Sequence, residues 1–292
     1  MKKINIWMSV LALALMGTAC IEQEMMLEEK PRTQAWNLVV RAEKEPDTKG
    51  LELVGNRLNT LWRDNEMVSI FANESYLTQT LSVAPDEQNA KLATLSGSVN
   101  VSEVKVNDVL KLQIPRQTWD YTGQKGVLLG PDVVGSIEKD YAYALAEVTV
   151  TDVNSSSGDL TTTNAHFVNQ QAIYRLNFKN GAAALSVKDV TISSSKGKIV
   201  LNRNLAAGTT TYGSLTVNMD SSSADPFYVA LCNDDDTEQD YSFSVTGADG
   251  LTYIGTQAIP AAAFSHGFLG IQDLALSKLV LTKSETPVAE AL

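Results

Sequence analysis

Short apolar segments alternating with polar residues predict an all-β protein, two tandem β-sandwich domains behind an export leader. Three observations carry that prediction. Apolar residues recur at every second position in many segments, which is the period of a sheet with one buried face. Turn-forming runs of Asn, Gly, Ser and Asp separate those segments. The chain has 292 residues, 44% hydrophobic and 20% charged, enough for two domains of ordinary size with their own cores.

Residues 1–19 form the leader. Lys2 and Lys3 precede a run from Ile4 to Met16 that is apolar except for Asn5 and Ser9. It is too short to span a bilayer comfortably and has the layout of a secretory signal peptide. The run ends in Met16-Gly17-Thr18-Ala19-Cys20. Small residues before a cysteine suit the narrow cleft of the peptidase that matures bacterial lipoproteins. Gly17 stands where such a box usually has leucine. Cys20 is therefore the expected lipidation site and the new N-terminus, an outer-membrane anchor. Each buried methylene of its acyl chains contributes about 0.8 kcal/mol.

Residues 20–33 follow as a lipidated acidic tether and propeptide. Glu22, Glu24, Glu28 and Glu29 make either a short acidic helix or an extended linker. Pro31 then interrupts regular structure, leaving Arg32-Thr33 as an accessible basic site for a protease. Arg41 is a second basic residue close by.

The N-terminal sandwich is expected over 34–163. Its markers are Trp62, Met67 to Phe71, Leu110 to Ile114, Trp119 and Tyr121. Near its end Tyr141, Tyr143 and Leu145 are read as one strand face, with Ala142, Ala144, Ala146, Val148 and Val150 on the other. The C-terminal sandwich is expected over 164–284. Ala172, Tyr174, Leu176 and Phe178 face inward there, against Arg175, Asn177 and Lys179. Leu215-Val217-Met219, Phe227-Val229-Leu231 and Tyr241-Phe243-Val245 repeat the pattern. Turns are expected at Asn154–Asp159, Asn180-Gly181, Ser193–Gly197, Asp220–Asp225 and Gly247–Gly250. Residues 285–292 are a flexible tail.

Charge and composition exclude several functions. Lys and Arg number 23 against 34 Asp and Glu, a formal charge of -11 with no basic stripe, so nucleic acid is not a partner. Two cysteines and two histidines leave no zinc-finger or iron–sulfur spacing. No nucleophile elbow or phosphate-cradling glycine loop is present, and neither enzymatic activity nor a cofactor is expected. His166 and His266 are boundary or surface residues. Cys232, inside the strand Phe227–Cys232, is a small buried hydrophobe. The loop Asn233–Asp240 carries five acids. It is a solvated hairpin loop, with Asp234, Asp235 and Asp236 a weak cation candidate that lacks the spacing of a calcium loop. Trp62, Trp119 and Tyr121 are either core or a sugar-stacking platform.

Four segments resemble the fimbrillin-like proteins of Bacteroidetes, the lipoprotein-derived subunits of type V pili. They are Trp62–Phe71, Phe167–Phe178, Gly247–Tyr253 and Ala258–Phe264. Ser265–Gly270 departs from the short polar link usual after the fourth. The resemblance implies transthyretin-like sandwiches, display on the cell surface within a fimbrium, and adhesion to a host or bacterial surface ligand. It also implies an arginine-specific surface protease cutting after Arg32 to leave Thr33. An N-terminal strand at or near Ala35–Val40 is then lost, and a strand from another fimbrial subunit fills the groove. The donor candidate is Leu274–Leu281, with Leu274, Leu276 and Val280 on one face interrupted by Lys278. The same segment reads equally as the last strand of its own sandwich. The competing function is a non-polymerising surface lipoprotein that binds glycan or a host protein.

Overall fold

In the first strand, β1 (Gln34–Lys44), Trp36, Leu38, Val40, Ala42 and Lys44 are buried and every residue between them is exposed. That alternation is what a pleated strand with one inward face requires. This computed structural model describes residues 34–44, 51–54, 57–115, 117–180, 183–259 and 282–283, with backbone alone at 51–54, 57–60 and 282–283. All lie in one compact unit, Thr33–Leu292. Cys20, Arg32, Thr33, His266, Leu274, Leu276 and Val280 are outside the described residues.

The chain continues through β2 (Leu51–Val54), β3 (Arg57–Thr60), β4 (Met67–Ala72), β5 (Ser75–Pro85), β6 (Leu92–Val101), β7 (Val109–Ile114) and β8 (Thr118–Asp120). A single π-helical turn, Ile137–Tyr141, precedes β9 (Ala144–Asn154), β10 (Asp159–Thr162) and β11 (Ala165–Asn169). The first sheet runs β10-β1-β11-β9-β7-β4-β5-β6, and β1 also pairs with β6. That pairing joins the two ends of the sheet, so the strands enclose their apolar side chains. Leu38, Val40, Val68, Ile70, Leu81, Leu95, Leu112, Val148 and Phe167 fill this first core. Each such side chain contributes about 1.5–3 kcal/mol on leaving water.

The second half contains β12 (Ala172–Leu176), β13 (Lys179–Asn180), β14 (Ala183–Ala184), β15 (Val187–Ser194), β16 (Val200–Asn204), β17 (Thr209–Tyr212) and β18 (Leu215–Ser223). β19 (Phe227–Leu231), β20 (Gln239–Gly247), β21 (Thr252–Ile259) and β22 (Thr282–Lys283) follow. One sheet is ordered β18-β15-β20-β21-β22, and β12 pairs with β19. Ile192, Val217, Phe227, Val229, Tyr241 and Phe243 belong to a second core. Trp119, Tyr121, Ile137, Tyr141 and Tyr143 belong to it too, because β8 pairs with β16, Trp119 opposite Arg203. The chain crosses to the second core between Ile114 and Trp119, returns between Tyr143 and Ala144, and crosses again at Gln170-Gln171, with Phe167 in the first and Ala172 in the second. The buried Gln171 carboxamide oxygen accepts from the Tyr143 N–H at 3.1 Å and from the Tyr121 hydroxyl at 3.2 Å.

Two sequence expectations are corrected. Tyr141 and Tyr143 are not on a strand face: Tyr141 ends the π-helical turn Ile137–Tyr141, Tyr143 follows it, and β9 starts only at Ala144. The Ser136 hydroxyl caps that turn by accepting from Lys139 N–H at 3.3 Å. The expected turn at Asp220–Asp225 is shorter, because β18 continues to Ser223, paired with Val187 across a register shift. The turns at Gly158, Gly197 and Gly250 are present, each glycine at positive φ, a conformation costly for other residues.

Candidate functional site: the slot held by the first strand

β1, the first strand of the described residues, is paired along both edges. Along one edge it runs antiparallel to β6, from Gln34↔Val101 to Glu43↔Leu92. Along the other it runs parallel to β10 at Asn37 and Leu38, and parallel to β11 from Ala42 to Lys44. Withdrawing it leaves two open sheet edges facing each other across an apolar floor, the situation that invites strand addition.

The N-terminal end of β1 is held by polar contacts. The Trp36 indole N–H donates to Val101 O at 3.3 Å, and Asn37 N–H donates to Gly158 O at 2.7 Å. The Asn37 carboxamide donates to an Asp159 carboxylate oxygen at 3.2 Å. Hydrogen bonds from Ser157 and then Asn37 hold the Asp159 carboxyl below its ordinary range. In the middle, Leu38 lies opposite Gly97. A Cβ at Gly97 would come within 2.9 Å of Thr80 O and 3.1 Å of Leu81 Cδ2, so the close approach of β5 requires glycine there.

The C-terminal end is held by a charge. Lys44 has its side chain completely buried, with its ammonium 2.9 Å from Leu61 O and 3.0 Å from Glu66 Oε2. It lies over the Trp62 ring, 4.0 Å from the centroid, which adds a cation–π attraction. Trp62 in turn packs edge-on against Phe167 at 5.2 Å. Glu66 also accepts from Arg63 N–H at 3.4 Å, and the Arg63 guanidinium pairs with Glu138. Glu66 lies in the Trp62–Phe71 segment, whereas Lys44 lies beyond Ala35–Val40 and carries no signal in the sequence.

The remaining candidates lie elsewhere. Trp62, Trp119 and Tyr121 are 3%, 1% and 0% exposed, which overturns the sugar-stacking platform: all three are core. His166 is exposed on β11, its Nδ1 3.5 Å from Glu43 Oε2. Cys232 is buried, and that burial pushes its thiol up to about 12. Asp234, Asp235 and Asp236 do not converge. Asp234 is bonded to the Arg203 guanidinium and to the Tyr212 hydroxyl at 2.7 Å. Asp235 instead closes a local turn by accepting from Thr237 N–H at 3.0 Å. Its carboxyl is held low chiefly by the hydrogen bonds from Thr237. Among the described residues no group of three or more His, Cys, Asp or Glu is placed to hold a metal ion.

No family model matches the chain, and no curated protein sequence does either. Among solved structures, one similar chain is a candidate cell adhesion protein from Parabacteroides distasonis, with 12% identity and a TM-score of 0.39. That match covers 80% of this chain and 84% of that one. A second candidate cell adhesion protein of the same organism gives 11% and 0.35, over 78% and 84% of the two chains. The tip fimbrial protein Mfa3 from Porphyromonas gingivalis, truncated at its C-terminus, gives 9% and 0.32, over 76% and 81%. At these TM-scores they are distant likenesses and define no family.

Proposed function

We propose that this protein is a structural subunit of a cell-surface fimbria, carried to the outer membrane as a lipoprotein on Cys20 and assembled by β-strand addition between copies. The observation that supports this reading is the place of β1. It starts two residues after Arg32 and closes the first sheet between β6 on one edge and β10 and β11 on the other. A cut after Arg32 makes Thr33 the new terminus, one residue before β1. Such a cut severs the anchor and frees the leading end of β1 to be withdrawn. Arg41 lies exposed in the middle of β1 but is paired with Thr94, so a protease reaches that bond only once the strand has left the sheet. The vacated slot then takes a strand from another copy, the segment bearing Leu274, Leu276 and Val280.

In this reading the two cores are two sandwich domains, the first acting as acceptor, and the role is adhesion and polymer continuity without catalysis. The test is intact mass and SDS-resistant oligomer analysis of delipidated protein before and after limited trypsin. A cut after Arg32 followed by a ladder of multimers is the expected result. Cleaved protein that stays monomeric at high concentration contradicts the proposal.

A further inference from the structure

The apolar row of β1 forbids one class of error and permits another. A shift of one residue along β6 turns Trp36, Leu38, Val40 and Ala42 to solvent, so parity blocks it. A shift of two residues keeps every one of them facing inward. Such a shift forward carries Trp36, Leu38 and Val40 into the sites of Leu38, Val40 and Ala42 and breaks the Trp36 indole bond to Val101 O, so packing opposes it for this strand. An incoming strand of another sequence has neither Trp36 nor Asn37, and for it a feature at the far end of the slot has to set the register.

We propose that the pocket formed by Leu61 O, the Glu66 carboxylate and the Trp62 ring is a cation socket that sets this register and selects the occupant. The socket accepts a strand only when a basic side chain of that strand falls at the position of Lys44. If β1 slides forward by two residues, Ala42 arrives at the socket and Glu66, with a side chain only 9% exposed, loses its cation. If it slides back, the Lys44 ammonium enters the apolar row at the site of Ala42, which is 3% exposed and opposite Ala93. Both shifts strand a buried charge, a cost that repacking of the apolar row does not recover. One buried polar pair fixing register is the best-attested use of such a pair.

This inference deepens the strand-exchange reading and rests on it for its second half, the identity of the incoming strand. The row Leu274, Leu276, Val280 is interrupted at the same parity by Lys278, which breaks any purely apolar strand. Laid along β1 in the same direction, Lys278 enters the socket while Leu276 and Leu274 take the sites of Ala42 and Val40; the match covers this C-terminal part of the slot, and Gln272 falls at the site of Leu38. The lysine that spoils the donor as an apolar strand is what qualifies it for this slot.

The test uses the full chain and reads register by disulfide capture. Val39 and Ser96 are register partners and both exposed. A Val39→Cys/Ser96→Cys pair reports native register, whereas Val39→Cys with Thr94→Cys or with Ser98→Cys reports a two-residue slip in either direction. Peptide mass mapping separates these bonds from those of the natural cysteines. With the native socket, only the 39–96 bond forms. Lys44→Met raises a slipped bond by about tenfold or more, the scale on which a stranded buried charge shifts an equilibrium, while Trp36→Leu leaves the native bond exclusive. Lys44→Met/Glu66→Met removes both charges, keeps the chain folded and still slips. Exclusive 39–96 capture in that double variant overturns the socket. In the cleaved protein, Lys278→Met lowers the yield of multimers by about tenfold and Lys283→Met leaves it unchanged. Equal yields overturn the donor assignment. Wild-type protein that never forms multimers overturns strand exchange itself, whereas the register result within a single chain is decided independently.

Discussion

Lys44 and Glu66 meet at 3.0 Å beneath the Trp62 ring, 22 residues apart in sequence, with the lysine side chain wholly out of water. The pair ties the last residue of β1 to the loop before β4. Removing one partner leaves the other buried and uncompensated. Lys44→Ala is therefore expected to destabilise the first core by about 3–5 kcal/mol. Replacing both residues by methionine should recover most of that loss, since an apolar pair of similar volume replaces a buried ion pair at little cost. Urea unfolding followed by tryptophan fluorescence checks both values.

Gly97 is the second point at which the slot is built to tolerance. Its missing Cβ lets β5 and β6 approach, with Thr80 O only 2.9 Å from where that atom would be. Gly97→Val is expected to cost about 1–3 kcal/mol and to speed amide exchange in β1 and β6 before it affects β20 or β15. Hydrogen exchange resolved by segment measures this.

Alkaline pH should weaken the second core. Burial raises the Cys232 thiol from an ordinary 9.0 to about 12, and burial likewise raises the phenols of Tyr121, Tyr174 and Tyr241 above theirs. These groups keep their protons in the folded chain while the unfolded chain ionises first, so the folded state binds more protons. Their contribution is intact below the unfolded pKa values and is lost as pH rises through the window between those values and the folded ones. Urea midpoints are expected to fall steadily from about pH 9 upward. Thiol reagents at neutral pH should label Cys232 only after denaturation.

The acidic loop can be tested without a metal. Tyr212 is raised above its ordinary value, first by its hydrogen bond to Asp234 and then by loss of hydration. In Asp234→Asn the hydrogen bond to a carboxylate disappears, and the Tyr212 phenol should titrate closer to its ordinary range. Ultraviolet difference titration of the two proteins reads the change directly. An unchanged titration means that Tyr212 and Asp234 are not bonded in solution.

What the sequence disclosed followed the reach of local patterning. Tyr241, Phe243 and Val245 were legible as a buried strand face because alternation is a property of the strand itself, and β20 buries all three. Cys232 was legible as core for the same reason. Tyr141 and Tyr143 were misread because their alternation is incidental: buried Glu138 and Asp140 accept from Gly130 and Gly135 N–H groups and fold the segment into a turn. Trp119 was legible as aromatic core in kind, yet not as part of the second core, because β8 finds its partner β16 more than eighty residues later in the chain. Lys44 was silent. A lysine after an apolar row reads as the solvated end of a strand, and only the approach of Leu61 and Glu66 converts it into a buried anchor.

The central claim is that β1 leaves its slot for assembly to occur, and a lock on β1 tests it most directly. In Val39→Cys/Ser96→Cys protein, the disulfide ties β1 to β6 across a native register pair. After cleavage at Arg32, the oxidised protein is predicted to remain monomeric, and reduction is predicted to release a ladder of SDS-resistant multimers. Multimers forming equally well with the lock closed would contradict the account, because the slot would then never have opened.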